Sequence, residues 1–255
     1  MDLSFIIPCD RFSYKDIIGY ESYIKSDRRE LLKNTLKKYE ELLRDRTEEV
    51  EFIIVSRTIF DLRFLDGINL TLRLLIYQHD DREGFAPSKA FNLGIQQALA
   101  DYIAITSPEV IPITNVIEQF FKLPKANYIC KCIDQNQNGT LGMTLVDSKF
   151  RSSSPEMYFL AFYRKEDILK INGWDEEFMY GFGWEDNDFG SRFMRAGLKF
   201  NVRDDMVALH QYHPRIDLDI SNSREKFNKN CQIFIKNNSD KLIRCQKGIF
   251  NEFNK

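Results

Sequence analysis

The residues with the most chemistry to offer lie in three short segments. The first is Asn172-Gly173-Trp174-Asp175-Glu176-Glu177-Phe178, resuming at Gly183-Trp184-Glu185-Asp186-Asn187-Asp188. Here a loop rich in glycine and aromatics feeds carboxylates into the first turn of a helix. A helix N-terminus favours a nearby anion by roughly 0.3–1 kcal/mol, which keeps a carboxylate deprotonated and able to act as a base. Trp174, Tyr180, Phe182 and Trp184 offer flat apolar faces on which a sugar ring can lie. The structural alternative is acidic capping beside a core aromatic cluster.

The second segment is Ile105-Thr106-Ser107-Pro108-Glu109-Val110-Ile111-Pro112. Glu109 falls three residues past an apolar run, where a carboxylate can hold a divalent cation over a diphosphate or simply cap a turn. The third is Val207-Ala208-Leu209-His210-Gln211-Tyr212-His213-Pro214, which holds two of the chain's 3 histidines. His210 and His213 are candidates for ligands or for general acid–base groups, against an ordinary structural role.

The elements that must position these segments follow from apolar patterning. Leu3 to Pro8, Glu51 to Val55, Leu72 to Tyr77 and Tyr102 to Thr106 read as buried strands. A helix is expected from Asp27, with a capping pattern to Glu30 and apolar residues at Leu31, Leu32, Leu36, Tyr39, Leu42 and Leu43. A second runs from about Ser88 to Ala100. Nearly all-apolar strands alternating with helices indicate a parallel sheet covered on both faces, whose ligands collect beyond the strands' carboxyl ends. The second half is less regular. Ala126 to Asp134 and Leu141 to Asp147 read as strands around an Asn138-Gly139 turn, and Tyr158 to Tyr163 as another. Helices are expected over Lys165 to Ile171 and over Asp186 to Ala196, the latter closed by Gly197.

With 255 residues, 43% hydrophobic and 29% charged, the chain has an ordinary globular composition and is long enough to bury a sizeable core. A net charge of −2 gives no global attraction to nucleic acid. No apolar run approaches the roughly 18–20 residues of a membrane span, and the N-terminus lacks a basic, then apolar, leader pattern. The 5 cysteines (Cys9, Cys130, Cys132, Cys231 and Cys245) are scattered, which suits a reducing cytoplasm. Cys130 and Cys132 would share one face of a strand, as core residues or as a soft-metal pair. The tail from Arg224 is basic with interspersed apolar residues. It reads as a helix packing on the core or, alternatively, as one resting peripherally on an anionic membrane at its inner face.

Taken in order, these segments resemble GT-A-fold glycosyltransferases, especially the galactosyltransferase/chondroitin-polymerase branch and its bacterial family 2 relatives. Ser4-Phe5-Ile6-Ile7-Pro8 resembles the opening nucleotide-binding strand. Phe85-Ala86-Pro87-Ser88-Lys89-Ala90-Phe91-Asn92-Leu93-Gly94 resembles the helix over the donor, and Ala100-Asp101-Tyr102 the lead into the next strand. Asn172 to Phe178 and Gly183 to Phe189 resemble the acceptor loop and the catalytic carboxylate motif, and Leu209-His210-Gln211 the late metal-binding histidine. The resemblance covers about residues 3 to 215.

The resemblance implies an α/β GT-A (Rossmann-like) fold, a single domain with a central, mostly parallel sheet flanked by helices. Its nucleotide-sugar half would be 1–110, its acceptor and catalytic half 111–223, and its helical tail 224–255. The implied activity is inverting transfer from a UDP-sugar of Gal, GalNAc, GlcNAc or Glc type to a glycan or lipid-linked glycan, in cytoplasmic bacterial surface polysaccharide assembly. Asp186 would be the base and Glu185 would hold a sugar hydroxyl. Glu109 and His210 would bind Mn²⁺ (or Mg²⁺). Pro8, Cys9, Asp10, Arg11, Arg57, Lys89, Asn92 and Ser107 would line the donor site, and Trp174 and Trp184 the acceptor platform.

Two departures stand out. Ser107-Pro108-Glu109 replaces the usual Asp-x-Asp, so a metal-independent variant and a degenerate sugar-nucleotide-binding protein both stay open. Arg57 stands where family 2 enzymes often carry an acid. A sugar-1-phosphate nucleotidyltransferase would want a Gly-rich, basic loop after the first strand, and Cys9-Asp10-Arg11-Phe12 is not one.

Overall fold

A computed structural model describes residues 1–9, 28–56, 61–77, 87–149, 159–213 and 221–250. Strands β1 (Leu3–Pro8), β2 (Val50–Ser56), β3 (Thr71–Ile76) and β4 (Tyr102–Thr106) alternate with helices α1 (Arg28–Leu43) and α2 (Ser88–Gln97). Then come β5 (Val110–Pro112), α3 (Val116–Lys122), β6 (Asn127–Gln135), β7 (Leu141–Val146), β8 (Leu160–Arg164) and α4 (Lys165–Lys170). The chain continues with α5 (Glu185–Arg195), β9 (Phe200–His210) and α6 (Ser221–Ser239).

All of these strands join one sheet in the order β3-β2-β1-β4-β8-β6-β9-β5, with β7 on β6. Strands β1 to β4 are mutually parallel where they pair; β8 opposes β4, β6 opposes β8, and β9 runs parallel to β6. Strand β5 opposes β9. The carboxyl ends of β1 to β4, β6 and β9 therefore share one edge of the sheet with the amino end of β5. Helix α5 joins β9 through a short connection at the opposite edge, which points its N-terminus back toward this shared one.

Alternation along the strands builds two cores. Leu3, Phe5 and Ile7 of β1 pack with Leu32, Leu36 and Tyr39 of α1 and with Phe120 of α3. Ile6, Ile53 and Val55 face the other way, onto Phe91 and Ile95 of α2, Ile168 of α4, and Phe189 and Phe193 of α5. At Gly94, α2 lies so close to β1 that a Cβ would overlap the Ile6 side chain. The buried Glu51 lies at the edge away from the functional segments. It accepts hydrogen bonds from Ser4 Oγ (2.7 Å), Arg73 Nη1 (2.8 Å) and Leu99 N–H (2.8 Å), and so serves the scaffold.

Three expectations change. Helix α2 ends at Gln97 rather than Ala100, and β5 and α3 add elements the patterning did not indicate. Cys130 packs in the first core and Cys132 in the second, because β6 shifts register against β9 between Cys130 and Lys131. Both thiols are pushed up by burial, Cys132 to about 12, as core residues and not as a soft-metal pair.

Candidate active site

The first cluster is assembled by strand register. Antiparallel pairing puts Val110 opposite His210, and the Gln211 N–H extends it by donating to the Glu109 carbonyl at 2.8 Å. Glu109 is thereby set beside the end of β9. Its Oε1 lies 4.0 Å from His210 Nε2 and 3.8 Å from His213 Nε2. The three side chains are 12%, 10% and 9% exposed, enclosed but not sealed.

Parallel pairing of β6 with β9 puts Asp134 opposite His210, and Asp134 Oδ1 lies 3.0 Å from His210 Nδ1. A carboxylate at this ring nitrogen, with the other ring nitrogen on the Glu109 side, is the arrangement of the usual outer support of a metal-ligating histidine. One ligand atom from each of Glu109, His210 and His213 fits within 4.8 Å of the others. One carboxylate and two imidazoles form a donor set suited to a divalent transition ion such as Mn²⁺, with coordination positions left for a ligand. The residues present fit the implied metal. The site adds His213, a candidate by type, to the expected pair of Glu109 and His210.

The second cluster is built on the N-terminus of α5. Trp184 precedes the helix in the left-handed region (φ 71°), which turns the chain so that Glu185 and Asp186 enter the first turn 5% and 1% exposed. Burial and the neighbouring Asp186 push Glu185 up to about 8, and its Oε2 has no hydrogen-bond partner among the described residues. At Glu185 the stabilising effect of the helix N-terminus on an anion is opposed by burial and by the like charge of Asp186. The helix contributes less than the roughly 1.36 kcal/mol of one pKa unit, and desolvation exceeds it.

Asp188 is committed elsewhere, to a fully buried ion pair with Arg192 Nε at 2.6 Å and a hydrogen bond from Asn237 Nδ2 at 2.9 Å. Asp175 caps the 3₁₀ turn Glu176–Tyr180 by accepting from Glu177 N–H. Burial, with the charge of Asp188 adding to it, raises Asp175 to about 6 despite that hydrogen bond.

Helix α6 clamps this loop. Asn230 Nδ2 donates to the carbonyls of Phe178 (3.0 Å) and Gly183 (2.8 Å), and a Cβ on Gly181 would overlap Asn230 Oδ1. Phe227 and Phe234 pack on Trp184, with ring centroids 5.5 and 5.0 Å away. Helix α6 thus turns these two rings onto the loop residue Trp184. Sequence reasoning missed Asn230 and Asn237, because nothing in their spacing shows which loop they reach.

The other expected residues divide three ways. Asp10, Arg11 and Arg57 lie outside the described residues. Pro8 is partly exposed at the shared edge, as are Ser107, whose carbonyl accepts from Val110 N–H, and Lys89, whose Nζ lies 5.3 Å from the Tyr77 ring centroid. Three others are corrected. Trp174 is fully buried and stacked on Phe189 at 3.8 Å, so it supports the loop from beneath and presents no face to an acceptor. Asn92, also buried, accepts from Trp174 N–H (2.9 Å) and donates to Trp174 C=O (2.8 Å) and Glu176 Oε1 (3.0 Å), tying α2 to the loop. Cys9 turns its thiol into the first core. Trp184 keeps a partly exposed side chain, and its Nε1 has no hydrogen-bond partner among the described residues.

A family model described as the N-terminal domain of galactosyltransferase matches residues 143–214, the stretch that carries both histidines and the α5 carboxylates. No curated protein sequence matches the chain. Among solved structures, S. aureus TarS superposes with a TM-score of 0.63 at 15% identity, over 93% of this chain and 39% of TarS. A TarS fragment, 1–349, in complex with UDP-GlcNAc gives 0.62 at 15% identity, over 92% and 65%. The catalytic domain of Drosophila beta1,4-galactosyltransferase 7, in complex with xylobiose, gives 0.50 at 16% identity, over 79% and 64%. This chain spans less than two thirds of each of these structures. It has the GT-A fold and is related, through that fold and the matched segment, to glycosyltransferases.

Proposed function

For a chain with the GT-A fold and a galactosyltransferase-like segment, we propose inverting transfer of a sugar from a UDP-sugar of Gal, GalNAc, GlcNAc or Glc type to a glycan hydroxyl. The observation that carries this reading is the gathering of Glu109, His210 and His213 at the sheet edge toward which the N-terminus of α5 is directed. These three residues would hold a divalent ion such as Mn²⁺, which when bound offsets negative charge on a diphosphate. Asp186 takes the proton of an acceptor hydroxyl as that oxygen attacks the anomeric carbon from the face opposite UDP. Glu185, pushed toward its neutral form by burial and by the neighbouring Asp186, donates a hydrogen bond to a sugar hydroxyl, so the two adjacent carboxyls take different roles. Trp184 supplies the remaining aromatic face.

The donor classes named for TarS and the glycan bound by the galactosyltransferase support this choice of substrates. A lipid-linked acceptor and a place in bacterial surface polysaccharide assembly, at the cytoplasmic side of a membrane, belong to the same proposal. No helix among the described residues is long and apolar enough to cross a membrane. Ser107, in place of the usual first acid, favours one other reading, a sugar-nucleotide-binding protein without transfer.

Calorimetric titration of UDP with and without Mn²⁺, followed by UDP release from a panel of UDP-sugars and acceptors, tests both. Binding that tightens at least about tenfold with Mn²⁺, with acceptor-dependent UDP release, is the expected result. Equal binding in both conditions makes donor binding metal-independent. Binding without release from any pair favours the non-transferring protein, and no binding removes the UDP assignment.

A further inference from the structure

We propose that Thr35 of α1 and Gln211, between the two histidines, are positioning residues that set how tightly Glu109, His210 and His213 hold a metal ion. The inference rests on the metal-binding reading above and names what keeps those ligands in register.

Gln211 is 6% exposed, and both N–H groups of its side-chain amide are used inward. Its Nε2 donates to the Leu31 carbonyl and to Thr35 Oγ1, both at 3.1 Å, and its Oε1 lies 3.4 Å from Asn34 Nδ2. Because Gln211 follows His210 directly and precedes His213 by two residues, its anchoring fixes the chain that sets one imidazole against the other. Thr35, fully buried, then reaches the remaining ligand. Its hydroxyl donates to the Pro108 carbonyl at 2.7 Å, holding the peptide that leads into Glu109. One hydroxyl therefore accepts from the histidine segment and donates to the glutamate segment, which come from strands distant in sequence.

The choice of residue at position 35 supports the same role. Leu31, Leu32, Leu36 and Tyr39 form the buried apolar face of α1, and Thr35 interrupts it with a β-branched, polar side chain of lower helix propensity. An apolar residue would serve packing alone. A hydroxyl serves packing and fixes two backbone segments. Outer supports of this kind typically change metal affinity by about 10–100-fold.

Mn²⁺ titration of the full chain, following free Mn²⁺ by electron paramagnetic resonance without donor or acceptor, tests the proposal. Thr35→Val keeps the side chain's shape and Gln211→Met its length, so either variant, shown folded by near-ultraviolet circular dichroism, suffices. Each should weaken Mn²⁺ about tenfold or more, and Thr35→Ser, which restores the hydroxyl, should return within about threefold of the wild type. A variant with a lowered melting temperature but unchanged Mn²⁺ affinity makes the node purely structural and overturns the proposal. Wild-type protein that binds no Mn²⁺, as His210→Ala is expected to behave, overturns the metal reading itself and this inference with it.

Discussion

Glu109 and Glu185 are both glutamates placed toward one edge of the sheet, yet their surroundings give them opposite characters. Glu109 Oε1 faces the Nε2 atoms of His210 and His213 at 4.0 and 3.8 Å, a grouping of ligand atoms that could hold a cation. Glu185 is buried beside another carboxylate, Asp186, and is driven up to about 8. The first centre is held by backbone register, with β5 and β6 each paired to the end of β9. The second hangs on a loop pinned by side-chain amides from α6, Asn230 and Asn237. One residue type thus sits among potential ligand atoms in one centre and, in the other, where desolvation and like charge favour its neutral form.

The sharpest way to break this contrast is to treat the two α5 carboxyls alike. Asp186→Asn should lower turnover by at least about 10²-fold with UDP affinity within about twofold, because only the base is lost. Glu185→Gln imitates the neutral acid and should keep turnover within about tenfold in steady-state assays. Equal losses in both variants would erase the distinction. On the other side, His213→Ala should weaken Mn²⁺-dependent UDP binding by at least about tenfold by calorimetry, and Asp134→Asn by a smaller factor. An unchanged metal response in His213→Ala would remove it from the ligand set.

Smaller effects probe how each centre is held. Gly181→Ala should destabilise the protein by about 1–3 kcal/mol in denaturant unfolding, since its Cβ must displace the doubly bonded Asn230 amide. A second test of the same kind is pH. Glu185 is raised from 4.5 to about 8, so between those values the folded state binds more protons than the unfolded one. Its stabilising contribution is full below the unfolded value and is lost as pH rises toward 8, with a slope of at most about 1.36 kcal/mol per pH unit. Asp175, raised to about 6, steepens the lower part of that window. Unfolding curves at pH 5.5 and 8.5 should show wild type losing more stability than Glu185→Gln, and parallel behaviour would place Glu185 among ordinary carboxylates.

The regular half of the fold was the more legible. Strands β1 and β4 coincide with their apolar runs, because strands buried on both faces must be apolar throughout. Strand β5 was illegible, being three residues long and ending in Pro112, and it exists through its pairing with β9. Helix α3 left a faint signal, since Asn115 caps it by accepting from Glu118 N–H, an acid three residues on. In the site, His213 was legible only as a candidate by residue type, and the expected ligand pair was Glu109 and His210 alone. Asp134 carried no such sign, since its partnership with His210 depends on the register between β6 and β9. Trp174 and Trp184 looked alike in sequence, and only packing separated a ring stacked beneath the loop from one partly exposed above it.

The sequence alone determined the alternation of strands and helices in the first half, the helix that begins with acids after Gly183-Trp184, and the chemical types able to bind a cation or move a proton. Those properties are local: they follow from the periodicity and polarity of neighbouring residues. Tertiary structure decided which acids meet imidazoles, which meet each other, and which are spent on an arginine or a cap. Desolvation and Coulomb energies depend on distance through space, and the tertiary fold, through strand register and the return of α6, sets those distances between residues as much as 180 positions apart.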